Sequence, residues 1–137
     1  MNSSLSSDSA KIVSESLPGM QRHRRKLGSA IGRYLAHGGA AHSQRSADIG
    51  LVLTDMLFNH ADEAAGTFAR HRLAETARRH RKLGVTVGDY SCFGDGLGAV
   101  MKDVLGTQAS PQLLSAWGDA YWAIVRGTHR NDFPIAA

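Results

Sequence analysis

Apolar residues recur along this chain at spacings of three and four, the repeat of helices with one buried face, and no segment alternates convincingly as a half-buried strand would. Breakers and caps divide the pattern into six helical segments. Asp8 or Ser9 is expected to cap the first near Ala10, with Pro18 either kinking that helix or sitting in its interior at roughly 3 kcal/mol or more. Leu27, Ala30, Ile31, Tyr34 and Leu35 give the second, which ends at His37-Gly38-Gly39. The stretch GGAAHSQRS, residues 38–46, reads as a loop from its small and polar content. Ile49, Val52, Leu53, Met56 and Leu57 mark a strongly amphipathic third helix closing near Asn59 and His60. A fourth runs from about Gly66 to Leu83 with Phe68, Leu73 and Ala77 inward. After a turn over Gly84–Gly88, the fifth reaches Gly106. Gly94, Gly96 and Gly98 weaken it by about 0.5–1 kcal/mol each relative to alanine, so it needs tertiary support, and they read as close-packing points in a helix crossing. Ser110 with Pro111 opens the last helix, whose stripe is Leu113, Leu114, Trp117, Ala120, Tyr121 and Ile124. The fold class expected is all-α.

The 137 residues suit one domain, since a chain of this size buries on the order of two thirds of its unfolded surface around a single core. The Ser-rich start, MNSSLSSDS, reads as a disordered leader over residues 1–9, followed by a domain over 10–132 and a tail over 133–137. No run is long or apolar enough for a signal peptide or a membrane span, so a cytoplasmic location is expected. The single cysteine, Cys92, excludes an internal disulfide framework and fits a reducing compartment. His23, His37, His42, His60, His71 and His129 show no zinc spacing with it, and the glycines of the fifth helix do not follow a strand as a nucleotide loop requires.

Chemistry concentrates in ARRHRKLGVTVGDY, Ala77 to Tyr90. Leu73, Ala77, His80, Leu83 and Gly84 share one face of the fourth helix, while Arg78, Arg79, Arg81 and Lys82 point elsewhere. His80 is therefore inward, and the four cations disfavour its protonation. The order His80-Arg-Lys-Leu-Gly84-Val85, continued through GDYSCFGDGLGAVMKDVLG (88–106) and ASPQLLSAWGDAY (109–121), resembles bacterial single-domain globins of the flavohaemoglobin type. The resemblance is strong from about Gly50 to Asp132, looser from Ile12 to His37, and largely fails between His37 and Asp48. It implies a globin-like fold with a shortened distal loop region. It also implies haem b (iron protoporphyrin IX) held by His80 as the iron ligand, with oxygen, nitric oxide or carbon monoxide as the gas. Val85 follows the ligand in the haem-binding segment. Nitric oxide dioxygenase or peroxidase-like activity would need a separate reductase, because flavin and nicotinamide segments are not among these residues.

By the same resemblance, Tyr90 and Asp132 take the places of a tyrosine and a glutamate that hydrogen-bond around the proximal histidine; with Pro134 marking a helix end close by, Asp132 either reaches that histidine or is a solvated helix end. On the distal side, the family's oxygen-binding tyrosine falls at Gly32, with Tyr34 about 200° away on the helix. The aromatic residue that packs on haem has no counterpart in 38–46. Asp48 falls at the distal polar position, and Val52, Leu53 and Met56 are expected to wall the pocket. Two other readings stay open: a globin-fold interaction or sensor module that has lost haem, and a basic helical nucleic-acid-binding domain using QRHRRK (21–26) and ARRHRK (77–82) in a chain of formal charge +4.

Overall fold

The structure, a computed structural model, describes residues 5–37, 43–63 and 68–129. Among these residues there are six α-helices and no strand: α1 (Ser7–Gln21), α2 (Arg24–His37), α3 (Ser43–Ala61), α4 (Arg70–Leu83), α5 (Val87–Leu105) and α6 (Pro111–Thr128), with a short 3₁₀ turn at Gly106–Gln108. Asp132 and Pro134 lie outside the described residues, as do positions 38–42 of the expected loop. No helix among the described residues is long and apolar enough to cross a membrane.

Helix ends follow local hydrogen bonding and shift several expected boundaries. α1 begins at Ser7 because the Ser6 hydroxyl accepts from the Ser9 amide, leaving Asp8 in the first turn, where the helix dipole favours a carboxylate. Ser9 does not cap; its hydroxyl donates to Asp119 of α6 at 3.0 Å. Pro18 sits inside α1, and the helix closes three residues later. α3 starts at Ser43, so residues 43–46 are helical where the sequence suggested loop. α4 closes on Gly84, whose φ of 81° is left-handed; the Val85 amide donates back to the His80 carbonyl at 3.0 Å, leaving the turn that bears His80 well defined. Thr86 and Asp89 then form a reciprocal capping box that starts α5 inside the expected turn.

Two features of the packing position the site. α2 crosses α3 at backbone contact: a β-carbon added to Gly50 would lie 2.7 Å from the Gly32 amide nitrogen, and one on Gly32 would lie 3.0 Å from the Ala47 α-carbon. In α5, Gly94 receives the Trp122 ring and Gly96 the Tyr34 ring, whereas Gly98 meets nothing. Two of the three α5 glycines are thus close-packing points, and the third is a solvent-side weakness. The core closes with Phe58 on Trp117 (5.4 Å between ring centroids) and Phe93 stacked on Tyr121 (4.8 Å). Trp117, on the expected stripe of α6, is fully buried, and Trp122 is half-buried.

Gly50→Ala should lower stability by about 1–3 kcal/mol, since its methyl meets backbone that cannot move aside, while Gly98→Ala should raise it by about 0.5–1 kcal/mol through helix propensity alone. Urea unfolding followed by circular dichroism checks both; equal effects would show that the α2–α3 crossing is not a tight constraint.

Candidate functional site

The last turns of α4 present a buried histidine beneath a cationic surface. Leu73, Thr76, Ala77 and His80 are buried, and Arg78, Arg79, Arg81 and Lys82 are exposed. The inward stripe stops at His80: Leu83, expected on the same face, is 54% exposed, because Gly84 ends the helix before another packed turn forms.

His80 is 4% exposed, and its Nδ1 lies 2.6 Å from the Tyr90 hydroxyl. Tyr90 is held in turn: its carbonyl accepts from the buried Tyr121 hydroxyl at 2.7 Å, and its ring meets His129 edge-on at 4.5 Å. When the Nδ1 proton is given to the Tyr90 oxygen, the lone pair on Nε2 stays available to a metal. Burial pushes the His80 imidazole down to about 4, with Arg79, then His129 and His60, adding to the shift. Desolvation is therefore the main reason the ring is neutral. The sequence suggested the four cations, and of these Arg79 adds to the shift.

Opposite His80, α3 turns one stripe inward, carrying Ser46, Ile49, Leu53, Met56, Leu57 and His60, all buried. Polar clasps tie α3 to the α4 region on either side of His80. Toward the end of α3, His60 Nε2 lies 2.9 Å from the Thr76 hydroxyl, four residues before His80. Near its start, Arg45 donates to the Gly84 carbonyl at 2.9 Å, four residues after His80, and to the Asp89 carboxylate at 2.7 Å. The two helices therefore run antiparallel, and the apolar middle of α3, Ile49, Leu53 and Met56, lies along the stretch that carries His80. A polar cavity of about 390 Å³ opens at the His60–Thr76 end, lined by Arg24, Asn59, Arg72, Glu75 and Arg79 among others.

The Globin family profile matches residues 7–127. The chain belongs to the globin family. A segment of 49 residues, 36% of this globin, is 41% identical to the flavohemoprotein of Rhizobium meliloti and 39% identical to that of Halalkalibacterium halodurans. The match spans 12% of the length of each of these relatives. Among solved structures, the globin is similar to the flavohemoglobin of Malassezia yamatoensis, determined with bound FAD and heme. That likeness has a TM-score of 0.71 at 23% identity, covering 94% of this chain and 37% of the other, and shows the fold.

Several sequence expectations meet different fates in this globin. Leu53 and Met56 are buried on the inward stripe, and Val52 is half-buried at its edge. Val85 packs half-buried against the core. Asp48 is not a pocket residue: it is exposed, about 140° around α3 from Leu53, and accepts from the Gln44 side chain at 3.0 Å. The α2–α3 crossing causes this, because turning Gly50 onto Gly32 rotates Ile49 inward and Asp48 outward. At Gly32 an added β-carbon already meets α3 backbone, and the Tyr34 ring is occupied against Gly96 of α5, so neither position holds a distal tyrosine. Ile49, Ser46, His60 and His129 were missed. The spacing of Gly28, Gly32 and Gly50 held the signal for Ile49, whereas nothing local to His60 or His129 marks a partner so distant in sequence.

The lowered His80 value has a defined sign. The unfolded imidazole binds a proton near its ordinary 6.5 and the folded one only near 4, so the stabilising difference is intact above pH 6.5 and is lost as pH falls toward 4. Apoprotein stability should therefore decrease over that window, by about 3 kcal/mol from His80. His80→Leu should flatten part of the slope. Chemical denaturation at a series of pH values checks this, and an unaltered slope in the variant would remove His80 as its source.

Proposed function

We propose that this globin binds haem b (iron protoporphyrin IX) through His80 and takes up a diatomic gas, oxygen, nitric oxide or carbon monoxide. The observation that carries the reading is the His80–Tyr90 pair: a buried, neutral imidazole with Nδ1 engaged and Nε2 left for a metal, facing an apolar stripe. The donor set supports it chemically. Among the described residues His80 offers a single buried imidazole with Nδ1 engaged. A lone imidazole suits an iron that brings its other ligands with it, as in a porphyrin.

Haem, when bound, supplies the iron that takes the gas. The chain's own residues do the rest. The Tyr90 oxygen holds the Nδ1 proton and fixes the imidazole plane; Tyr121 and His129 keep Tyr90 in place. Ile49, Leu53 and Met56 exclude water from the slot, with Val52 and Val85 at its margins. The proposal carries Asp132 as a further proximal carboxylate, at the end of a globin unit running from residue 10 to 132. Nitric oxide dioxygenase activity is the catalytic form of this reading, supported by the likeness to flavohemoproteins, with electrons from a separate reductase. The lone cysteine fits cytoplasmic residence.

Reconstitution with haemin, reduction and exposure to carbon monoxide should give a sharp Soret band that shifts with the gas. His80→Ala should lose or displace that band, and Tyr90→Phe should retain it with haem affinity weakened about 10–100-fold. A broad band like that of free haemin, from protein that is still helical, would defeat the reading and leave a globin-fold interaction module.

A further inference from the structure

Ser46 lies in α3 one turn before Ile49, 1% exposed, and its hydroxyl has no hydrogen-bond partner among the described residues. Helical serines and threonines ordinarily bond a carbonyl three or four residues back, as Thr54 does to Gly50 at 2.6 Å and Thr128 to Val125 at 2.8 Å. Ser46 does not. Buried hydroxyls are nearly always paired, so an exception calls for a specific cause.

Its direction on the helix narrows that cause. The face of α3 against α2 carries Ala47, Gly50, Leu51 and Thr54, which the glycines of α2 meet. Ser46 falls instead on the stripe of Ile49, Leu53 and His60, the last of which reaches α4 at Thr76. The side chain therefore leaves α3 on the inward stripe, although the Ser46 carbonyl lies 3.4 Å from a β-carbon built on Gly32 at the α2 crossing. Its neighbour Arg45 is tied to Gly84 and Asp89, which fixes this turn of α3 relative to the end of α4. Of the other polar atoms near the slot, His80 Nδ1 is paired with Tyr90 and His60 Nε2 with Thr76, while His60 Nδ1, with no hydrogen bond among the described residues, lies 3.7 Å from the Glu63 carboxylate on the side away from Ser46 along α3. Gly32 has no hydroxyl to offer, and Tyr34 packs on Gly96.

We infer that Ser46 is the distal hydrogen-bond donor, its hydroxyl meeting the diatomic ligand on the side of the slot opposite His80. The inference rests on the haem reading above. A neutral hydroxyl suits a ligand with negative character, which the carboxylate of Asp48 would repel, and this contact would supply the missing partner.

The test uses haem-loaded wild type, Ser46→Ala and Ser46→Thr, with oxygen and carbon monoxide as probes. Ser46→Ala should raise the infrared C–O stretching frequency of the carbon monoxide complex and accelerate oxygen dissociation on the order of tenfold, the loss of one hydrogen bond to a polar ligand. Ser46→Thr, which keeps the hydroxyl, should stay near wild type in both. The Ser46→Ala apoprotein should keep the wild-type thermal midpoint, because no internal hydrogen bond is lost. An unchanged C–O frequency and oxygen dissociation rate in Ser46→Ala would overturn the assignment, as would a marked fall in apoprotein stability, which would make the hydroxyl structural. Failure of wild type to take up haem would overturn the haem reading together with this one, whereas haem uptake with identical spectra in Ser46→Ala would overturn this one alone.

Discussion

The contact between Gly32 and Gly50 constrains more of this molecule than any other. Two helices whose backbones meet at this distance have almost no freedom to rotate about their axes, since any side chain at the crossing would force them apart. With α3 fixed in rotation, Ile49, Leu53 and Met56 face inward and Asp48 faces solvent. The same rotation brings His60 onto Thr76 and Arg45 onto Gly84 and Asp89. Loosening the crossing would disturb both clasps and the apolar wall between them, although none of those residues touches Gly32.

The proximal side is held by a different kind of constraint. Burying an imidazole has a desolvation penalty unless its polar atoms are paired, and Tyr90 pairs one of them at 2.6 Å. Placing that hydroxyl requires the turn between α4 and α5 to be short and reproducible. Gly84 in the left-handed conformation ends α4, and the Thr86–Asp89 capping box begins α5. Asp89 joins the two constraints, because the carboxylate that caps α5 also receives Arg45 from α3. Its acidity is strengthened by those hydrogen bonds against the opposing effect of burial. One exposed loop thereby couples the rotation of α3 to the position of the histidine.

What could be read from the sequence follows the range of the interaction responsible. Six helices, the Ser110–Pro111 start of α6 and the inward face of α4 depend on neighbours within a few residues, and each was legible from spacing and caps. The start of α1 at Ser7 was misjudged because three candidate caps stand close together, and the choice of Ser6 lets Ser9 reach Asp119, 110 residues away. Leu83 was placed inward by periodicity alone, which cannot show that the helix runs out of core to pack on. The His80–Tyr90 spacing was legible through the family resemblance. The inward assignment of Asp48 failed because the phase of α3 is set by α2, and an alignment across a shortened loop slips easily by one residue.

This division between local and long-range control also bears on how the two faces of the slot can change. His80, Gly84, Thr86, Asp89 and Tyr90 lie within eleven consecutive positions and are fixed by helix geometry and caps, so the His80–Tyr90 arrangement is set largely by local structure. The opposing face has no such local support. Its composition depends on which residues the glycine crossing turns inward and on where α3 begins. A start at Ser43 puts Arg45 and Ser46 within helix, and it is this extra turn that brings a cation to Gly84 and a hydroxyl onto the inward stripe. The helix start at Ser43 and the glycine at position 32 thus act together: α3 places polar groups in its first turns, where α2, pressed backbone to backbone against it, has no room for a side chain.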